Sequence, residues 1–280
     1  MRSTAVSIFL MAVCFAAGAL AALAEPIPAR HARVELISRD SSAAPGHDFR
    51  VGVHFMLERG WHIYWINPGD SGQPPSLQWQ LPAGFSAGEI QWPRPHKLQS
   101  SPSLADYGYH DDVLLMVPLR VPGSQKPGSR AEIHLQAKWL ICREVCIPDH
   151  AQLRLTVAIA AAARPNHQTA AQLFSAAERL LPRPWPRAWK AGAESRKEDF
   201  LLRLQMGKPV GAAEFFPLDA GQIENSARQK IQPSVKGVNI ILKKSDLLLK
   251  PVAVLRGVLV LPGRGAFQVE APVAGQVALK

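Results

Sequence analysis

Two cysteines, four positions apart, are the residues of this chain most able to do chemistry. Cys142 and Cys146 lie in the segment Trp-Leu-Ile-Cys-Arg-Glu-Val-Cys-Ile-Pro, residues 139–148. Two thiols at this spacing can form a disulfide and be reduced again, or they can bind a soft metal ion. The spacing therefore predicts a redox pair, with a structural disulfide and a metal site as alternatives.

A structural disulfide is the usual role of two cysteines in an exported protein. A bridge that closes about five residues stabilises the fold by about 2 kcal/mol through the entropy of the unfolded chain, whereas closing about 100 residues gives about 4.7 kcal/mol. A bridge that stabilises a β-sandwich would join its two sheets, but this pair lies at the end of one strand. The spacing thus favours a reactive pair.

The alternation of the strand predicts an accessible thiol. Ile133, Trp139 and Ile141 occupy inward positions, so Cys142 has the outward parity of Lys138. Charged neighbours act in opposite directions on the pKa of a thiol. The basic neighbours are Lys138 and Arg143, and the acidic ones are Glu144 and Asp149. The sequence leaves open which cysteine attacks.

A metal site would need a third ligand, and His150 supplies one at the same spacing of four residues. On a helix these three side chains would share one face, and two thiolates suit copper(I) or zinc. Pro148 and the strand pattern argue against a helix, so we predict neither a metal nor another cofactor. The net charge of +10 comes from scattered basic residues, which predicts no nucleic-acid partner.

Two other motifs are interpreted as turns. Residues 69–72, Gly-Asp-Ser-Gly, match the surroundings of a protease nucleophile, but their composition is typical of a turn. Asp111 and Asp112 could form an acid–base pair, yet adjacent residues on a strand point to opposite faces. We therefore expect a turn that leads into the strand at 113–117.

The first 24 residues have the pattern of a cleaved signal peptide. A positive start at Arg2 precedes an uncharged run from Ala5 to Leu23, and residues 22–24, Ala-Leu-Ala, form a cleavage pattern. An uncleaved anchor is the alternative. Cleavage would remove Cys14 and leave two cysteines in an exported chain that begins at Glu25.

The remaining elements are predicted to be mainly strands. Period-two alternation over 49–56, 132–139 and 153–159, together with 20 glycines and 24 prolines, predicts an all-β fold. We expect an immunoglobulin-like β-sandwich over 26–160.

A helix and a proline-rich linker are predicted over 161–190, and a smaller β-domain over 191–275. The helix has Asn166 as its N-cap and ends before Pro182. Five strand-like runs follow the linker. They are Phe200–Met206, Ala213–Phe216, Val235–Leu242, Ala253–Leu261 and Ala266–Glu270.

Several motifs together resemble the periplasmic N-terminal region of the DsbD family of thiol:disulfide interchange proteins, especially its ScsB branch. They are Gly-Trp-His-Ile-Tyr-Trp-Ile-Asn-Pro-Gly-Asp-Ser-Gly at 60–72, Gln-Trp-Pro at 91–93, Tyr-Gly-Tyr at 107–109 and the cysteine segment at 139–148. Phe-Phe-Pro-Leu at 215–218 and Leu-Lys-Lys-Ser-Asp at 242–246 extend the resemblance into the second half.

The resemblance implies a periplasmic protein-disulfide reductase with an immunoglobulin-like redox domain. Cys142 and Cys146 match the redox pair of the family, and Tyr109, Asp111 and Trp139 are candidates for shaping the pocket around it. A membrane-embedded DsbD/ScsB-type donor would supply electrons. The implied acceptors are periplasmic thioredoxin-like proteins, disulfide isomerases, cytochrome c maturation proteins or copper-tolerance proteins.

Members of this branch normally continue into a multi-span membrane domain and a thioredoxin-like domain. The 280 residues contain neither. The resemblance therefore implies either a separate membrane protein as the electron donor or a longer chain of which this sequence is a part.

Overall fold

A computed structural model describes residues 25–275, which form β-strands and one helix. The bounds, in chain order, are β1 (Ile27–Ala29), β2 (Ala32–Ser38), β3 (Asp40–Ala43), β4 (Asp48–Leu57), β5 (His62–Gly69), β6 (Ser76–Gln80), β7 (Ser86–Ala87), β8 (His96–Ser101), β9 (Leu104–His110), β10 (Asp112–Arg120), β11 (Arg130–Cys142), β12 (Cys146–Ile159), β13 (Arg164–Pro165), α1 (Gln168–Leu180), β14 (Lys190–Ser195), β15 (Asp199–Gln205), β16 (Glu214–Pro217), β17 (Lys230–Ser234), β18 (Gly237–Lys243), β19 (Val254–Leu261) and β20 (Gly265–Ala274). The predicted signal peptide, with Cys14, lies outside the described residues. Within 25–275, no helix has the length and apolar character needed to cross a membrane.

The first half is a β-sandwich, as the alternation predicts. One sheet has the order β1-β2-β4-β10-β7, and the other has the order β13-β3-β12-β11-β5-β9-β8 with β6 also paired to β11. Inward residues of both sheets form one buried core, in which Val53, Leu115 and Ile133 are each 0% exposed. The prediction of an all-β, immunoglobulin-like fold is confirmed.

The hairpin of β11 and β12 brings the two cysteines together. Its register runs without interruption from Arg130 opposite Ala158 to Cys142 opposite Cys146. Residues 143–145 form the connection, and Val145 at its tip is 65% exposed. The cysteines therefore form the last residue pair of a long, regular ladder.

Helix α1 packs on the outer face of the first sheet. Phe174 and Ala177 are buried against Leu114 and Met116 of β10. The helix ends before Pro182 as predicted, but its N-cap is His167 and not Asn166. The Asn166 amide instead donates to the Ser38 carbonyl, which ties the start of the helix to the sandwich.

The second half is a curled sheet around its own core. Its strand order is β16-β19-β20-β14-β15-β18-β17. The five predicted runs correspond to β15, β16, β18, β19 and β20, whereas β14 and β17 were not predicted. The proline-rich segment is more than a linker, because Trp185 and Trp189 pack against Phe267 of β20.

The two halves meet through buried side chains. Phe216 and Val258 of the second half belong to the core of the sandwich. The ring of Phe216 lies edge-on to Trp65 at 6.4 Å and to Tyr107 at 5.4 Å. The second half thus reaches strands β5 and β9, which flank the end of the cysteine hairpin.

Candidate functional site

The sulfur atoms of Cys142 and Cys146 form a disulfide, with a Cα–Cα distance of 4.2 Å. The two sulfurs have different surroundings. Cys142 is 2% exposed, whereas Cys146 is exposed at the edge of the hairpin. The expectation of an accessible Cys142 is therefore wrong: Cys142 keeps its outward parity but is buried there, opposite His62 of the paired strand β5.

Histidines continue the row of the cysteines across the sheet. Cys142 lies opposite His62 of β5, and His62 lies opposite His110 of β9. Directly opposite residues of an antiparallel pair point to the same face, with Cβ atoms about 5 Å apart. The disulfide and two imidazoles therefore share one face of the sheet.

Tyr64 makes a polar contact with the exposed sulfur. Its hydroxyl lies 3.2 Å from Cys146 Sγ, and its side chain is fully buried. Burial raises the pKa of Tyr64, against a smaller lowering effect of the hydrogen bond to Ser71. The phenol therefore keeps its proton at neutral pH and can donate it in a hydrogen bond to a thiolate.

Residues 67–72, the end of β5 and the bend that follows it, cover the Tyr64 ring, and we call this segment the site turn. Gly69 and Gly72 both have positive φ, at 91° and 76°. A Cβ atom on Gly72 would lie 2.1 Å from Tyr64 Cζ, so glycine is required for this close approach. Packing of Gly72 on the ring keeps the phenol beside the sulfur.

Two aspartates hold the site turn in place. The Ser71 amide and hydroxyl donate to Asp106 Oδ1 at 2.8 and 3.0 Å. Asp70 Oδ2 accepts from the Ala105 amide at 2.7 Å. The interpretation of this segment as a turn is confirmed, and its serine bonds to a carboxylate that anchors the backbone.

His62 lies half-buried between Cys142 and His110. Its Nε2 atom is buried without a hydrogen-bond partner. Burial lowers the pKa of His62, the charge of Asp106 opposes this effect, and His110 adds to it. The imidazole is therefore neutral at pH 7, next to the buried sulfur.

Of the three residues predicted to shape the pocket, two lie in the sandwich core and one lies in the turn between β9 and β10. Tyr109 and Trp139 point into the sandwich core, where the Tyr109 hydroxyl donates to the Pro93 carbonyl at 2.8 Å. Asp111 occupies the turn between β9 and β10 with φ of 63°, and its carboxylate contacts the His110 ring nitrogen at 2.6 Å. Within residues 25–275, none of these three side chains forms a hydrogen bond or ion pair with either sulfur.

The metal alternative with His150 does not survive the strand geometry. His150 pairs with Lys138, four residue pairs along the hairpin from the cysteines. Four residues of an extended strand span about 13 Å, so His150 cannot share an ion with the two sulfurs. Within residues 25–275, no group of three or more His, Cys, Asp or Glu side chains is placed to hold a metal ion.

Sequence reasoning missed His62, Tyr64 and the anchoring role of Asp106. The alternation of β5 places His62 and Tyr64 on one face, and this signal was available. The sequence pattern does not indicate the pairing of β5 with β11, because 80 positions separate His62 from Cys142 along the chain. Their role at the disulfide follows from that pairing.

Chemically, the arrangement fits thiol exchange. An incoming thiolate must reach one sulfur atom of the disulfide, and the exposed Cys146 offers such a sulfur. Cys142 is buried, which protects its sulfur from the same attack, and its sulfur is bonded to that of Cys146. The class that these features define is an immunoglobulin-like sandwich with a disulfide at a hairpin end, in which one cysteine is exposed and the other is buried.

The comparisons with known proteins agree with this class. Residues 33–158 match the family described as "Thiol:disulfide interchange protein DsbD, N-terminal". Over these residues the chain is similar to the N-terminal domain of DsbD. No curated protein matches the chain in sequence.

Among solved structures, the N-terminal periplasmic domain of ScsB from Proteus mirabilis superposes with a TM-score of 0.65 at 17% sequence identity, covering 88% of this chain and 94% of that chain. At this identity the likeness shows a shared fold. A protein of unknown function from Porphyromonas gingivalis (TM-score 0.22, 10% identity, 85% of this chain and 98% of that chain) carries no fold argument. The same holds for the sporulation control protein Spo0M from Bacillus subtilis (TM-score 0.20, 12% identity, 86% and 90%).

Proposed function

We propose that this protein relays electrons in the periplasm by thiol:disulfide interchange, as a protein-disulfide reductase component. The observation that carries the proposal is the disulfide itself, with one exposed and one buried sulfur at a hairpin end. The match of residues 33–158 to the DsbD N-terminal family supports it.

The exchange would begin at Cys146. In the reduced protein, the Cys146 thiolate attacks a sulfur of the partner disulfide, and the other partner sulfur leaves as a thiolate that takes up a proton. Cys142 then loses its proton and attacks Cys146 Sγ. The bond between the two cysteines forms, the partner's second sulfur leaves, and two electrons have passed to the partner.

Electrons would reach the oxidised pair by the reverse steps. A thiolate of a membrane-embedded DsbD/ScsB-type donor attacks Cys146, and Cys142 is the leaving group. A second donor thiolate then attacks the donor sulfur of this mixed disulfide, so that the donor disulfide forms and Cys146 leaves in its reduced form. The electrons then pass to periplasmic thioredoxin-like or disulfide-isomerase proteins. In this proposal the first 24 residues direct export, residues 26–160 form the redox domain, 161–190 connect the halves, and 191–275 form the second β-domain.

A redox titration of the purified protein tests the proposal. We expect a potential in the range of exchange proteins, above about −300 mV, because structural disulfides lie below that value. A potential far below it would reject the relay. Cysteine-to-alanine variants give a second test, since partner binding and cell phenotype that survive loss of both thiols would favour a binding module with a structural bridge.

A further inference from the structure

Asn225 of the second half lies buried between two residues of the sandwich. It is 6% exposed, and its Nδ2 donates to Asp70 Oδ1 at 2.7 Å. Its Oδ1 accepts from the Tyr107 hydroxyl at 3.0 Å. The amide therefore uses both ends to bridge strand β9 and the site turn.

A second contact holds the start of the site turn. The Asn67 amide donates to the Pro217 carbonyl at 2.8 Å, and Asn67 Oδ1 accepts from the Gly69 amide at 3.1 Å. Asn67 is 2% exposed. The second half thus binds the site turn at both Asn67 and Asp70.

The site turn in turn fixes the phenol at the exposed sulfur. Gly72 lies against the Tyr64 ring, and Ser71 Oγ lies 3.5 Å from the Tyr64 hydroxyl. That hydroxyl lies 3.2 Å from Cys146 Sγ. A continuous series of contacts therefore leads from Asn225 through Asp70 and Tyr64 to Cys146.

We infer that Asn225 is a positioning residue of the redox site, which holds the site turn so that the Tyr64 hydroxyl can donate to the Cys146 thiolate. This inference rests on the proposed function, because it concerns Cys146 in its reduced, reacting form. Hydrogen bonding to a thiolate favours the charged form and lowers the pKa of the thiol. The second β-domain is thereby part of the reactivity of the first.

The test measures the pKa of Cys146 through the pH dependence of its alkylation by iodoacetamide. The protein carries Cys142→Ala, and peptide mass spectrometry reports modification of Cys146 alone. Tyr64→Phe should slow alkylation about tenfold at a fixed pH below the pKa, because one hydrogen bond to the thiolate is lost. Asn225→Ala should slow it in the same direction.

A double-variant cycle distinguishes positioning from an independent effect. If Asn225 acts through Tyr64, Asn225→Ala adds nothing in the Tyr64→Phe background. Asn225→Asp serves as a second variant of nearly the same size. It keeps an acceptor for Tyr107 but sets a carboxylate against Asp70, so it should also slow alkylation.

Lys97→Met is the matched control at the same interface. Lys97 Nζ donates to the carbonyls of Ser226 and Ala227, both at 3.3 Å; among residues 25–275 it makes no hydrogen bond to the site turn, and its charge acts on Asp70 only through space. It should leave the alkylation profile unchanged. The inference is overturned if both Asn225 variants alkylate like the parent, if their effects add to that of Tyr64→Phe, or if Lys97→Met produces the same change.

Failure of this inference is distinguishable from failure of the proposed function. A wild-type potential typical of exchange proteins, combined with additive Asn225 and Tyr64 effects, would reject only the positioning role. A potential typical of structural disulfides would reject the relay whatever the alkylation profiles show.

Discussion

The unequal burial of the two sulfurs has a direct consequence at the residue scale. Cys146 is exposed and Cys142 is 2% exposed, although only three residues lie between them. We expect Cys146 in the Cys142→Ala protein to be alkylated at least about tenfold faster than Cys142 in the Cys146→Ala protein, because accessibility limits the reaction of a buried thiol. Mass spectrometry of timed samples measures both rates. Equal rates would contradict the assignment of Cys146 as the attacking thiol.

His62 gives the fold a pH dependence. Burial lowers its pKa in the folded state, whereas an unfolded histidine titrates near 6.5. As the pH falls through that ordinary value, the unfolded chain binds the proton first, so the folded state loses stability until the pH passes the folded pKa. We expect His62→Gln to lose less free energy of unfolding than wild type between about pH 7 and 5.

Urea unfolding at several pH values measures this difference. His96 contributes with the same sign, since burial also lowers its pKa, and His110 faces both rings. The His96→Gln variant should therefore also reduce the pH dependence of stability, and it is a second test of the same effect at a histidine outside the pair formed by Cys142 and His62. Parallel stability profiles for wild type and His62→Gln would contradict the buried, neutral state of His62.

At the scale of elements, the site turn depends on a glycine that no other residue can replace. Gly72 has a φ of 76°, and a Cβ atom added to it would lie 2.1 Å from Tyr64 Cζ. We expect Gly72→Ala to lower the free energy of unfolding by about 2–4 kcal/mol, through left-handed strain and overpacking together. Chemical denaturation measures the loss.

Gly128→Ala separates these two causes. Gly128 has a φ of 92°, and nothing lies within 4 Å of an added Cβ. Gly128→Ala should therefore lower the free energy of unfolding by the left-handed strain alone, about 1 kcal/mol. If the two variants were equally destabilised, the close packing of Gly72 on Tyr64 would have no energetic role.

The elements also show what the sequence could predict. Alternation identified β4, β11 and β12, and it placed the cysteines at a strand end, because one face of each strand is buried in the sandwich core. It missed β14 and β17, where small or polar residues such as Gly192 and Gln232 weaken the period-two pattern.

Alternation also failed for the burial of Cys142. At that position β11 pairs with β5, opposite His62, and the nearby Tyr64 ring is covered by the site turn. Neither the partner of a strand nor the path of a distant turn is encoded in the local pattern of a strand. The long-range contacts that define the site therefore required the structure.

At the scale of the whole molecule, adjacent phenylalanines of β16 serve different cores. Phe215 is 0% exposed in the core of the second half, while Phe216 is 2% exposed in the core of the sandwich. Removing either ring should cost about 3–5 kcal/mol. The two losses should nevertheless have different effects on cooperativity, because only Phe216 packs on the first half.

We expect wild type to unfold in one calorimetric transition, since the halves share buried surface. Phe216→Ala should divide this transition into two, and it should also change the fluorescence of Trp65, whose ring lies 6.4 Å from Phe216. Phe215→Ala should destabilise the second half and leave Trp65 unaffected. A single transition in Phe216→Ala, with Trp65 fluorescence unchanged, would mean that the halves are coupled by the polar contacts of Asn67 and Asn225 rather than by the shared core.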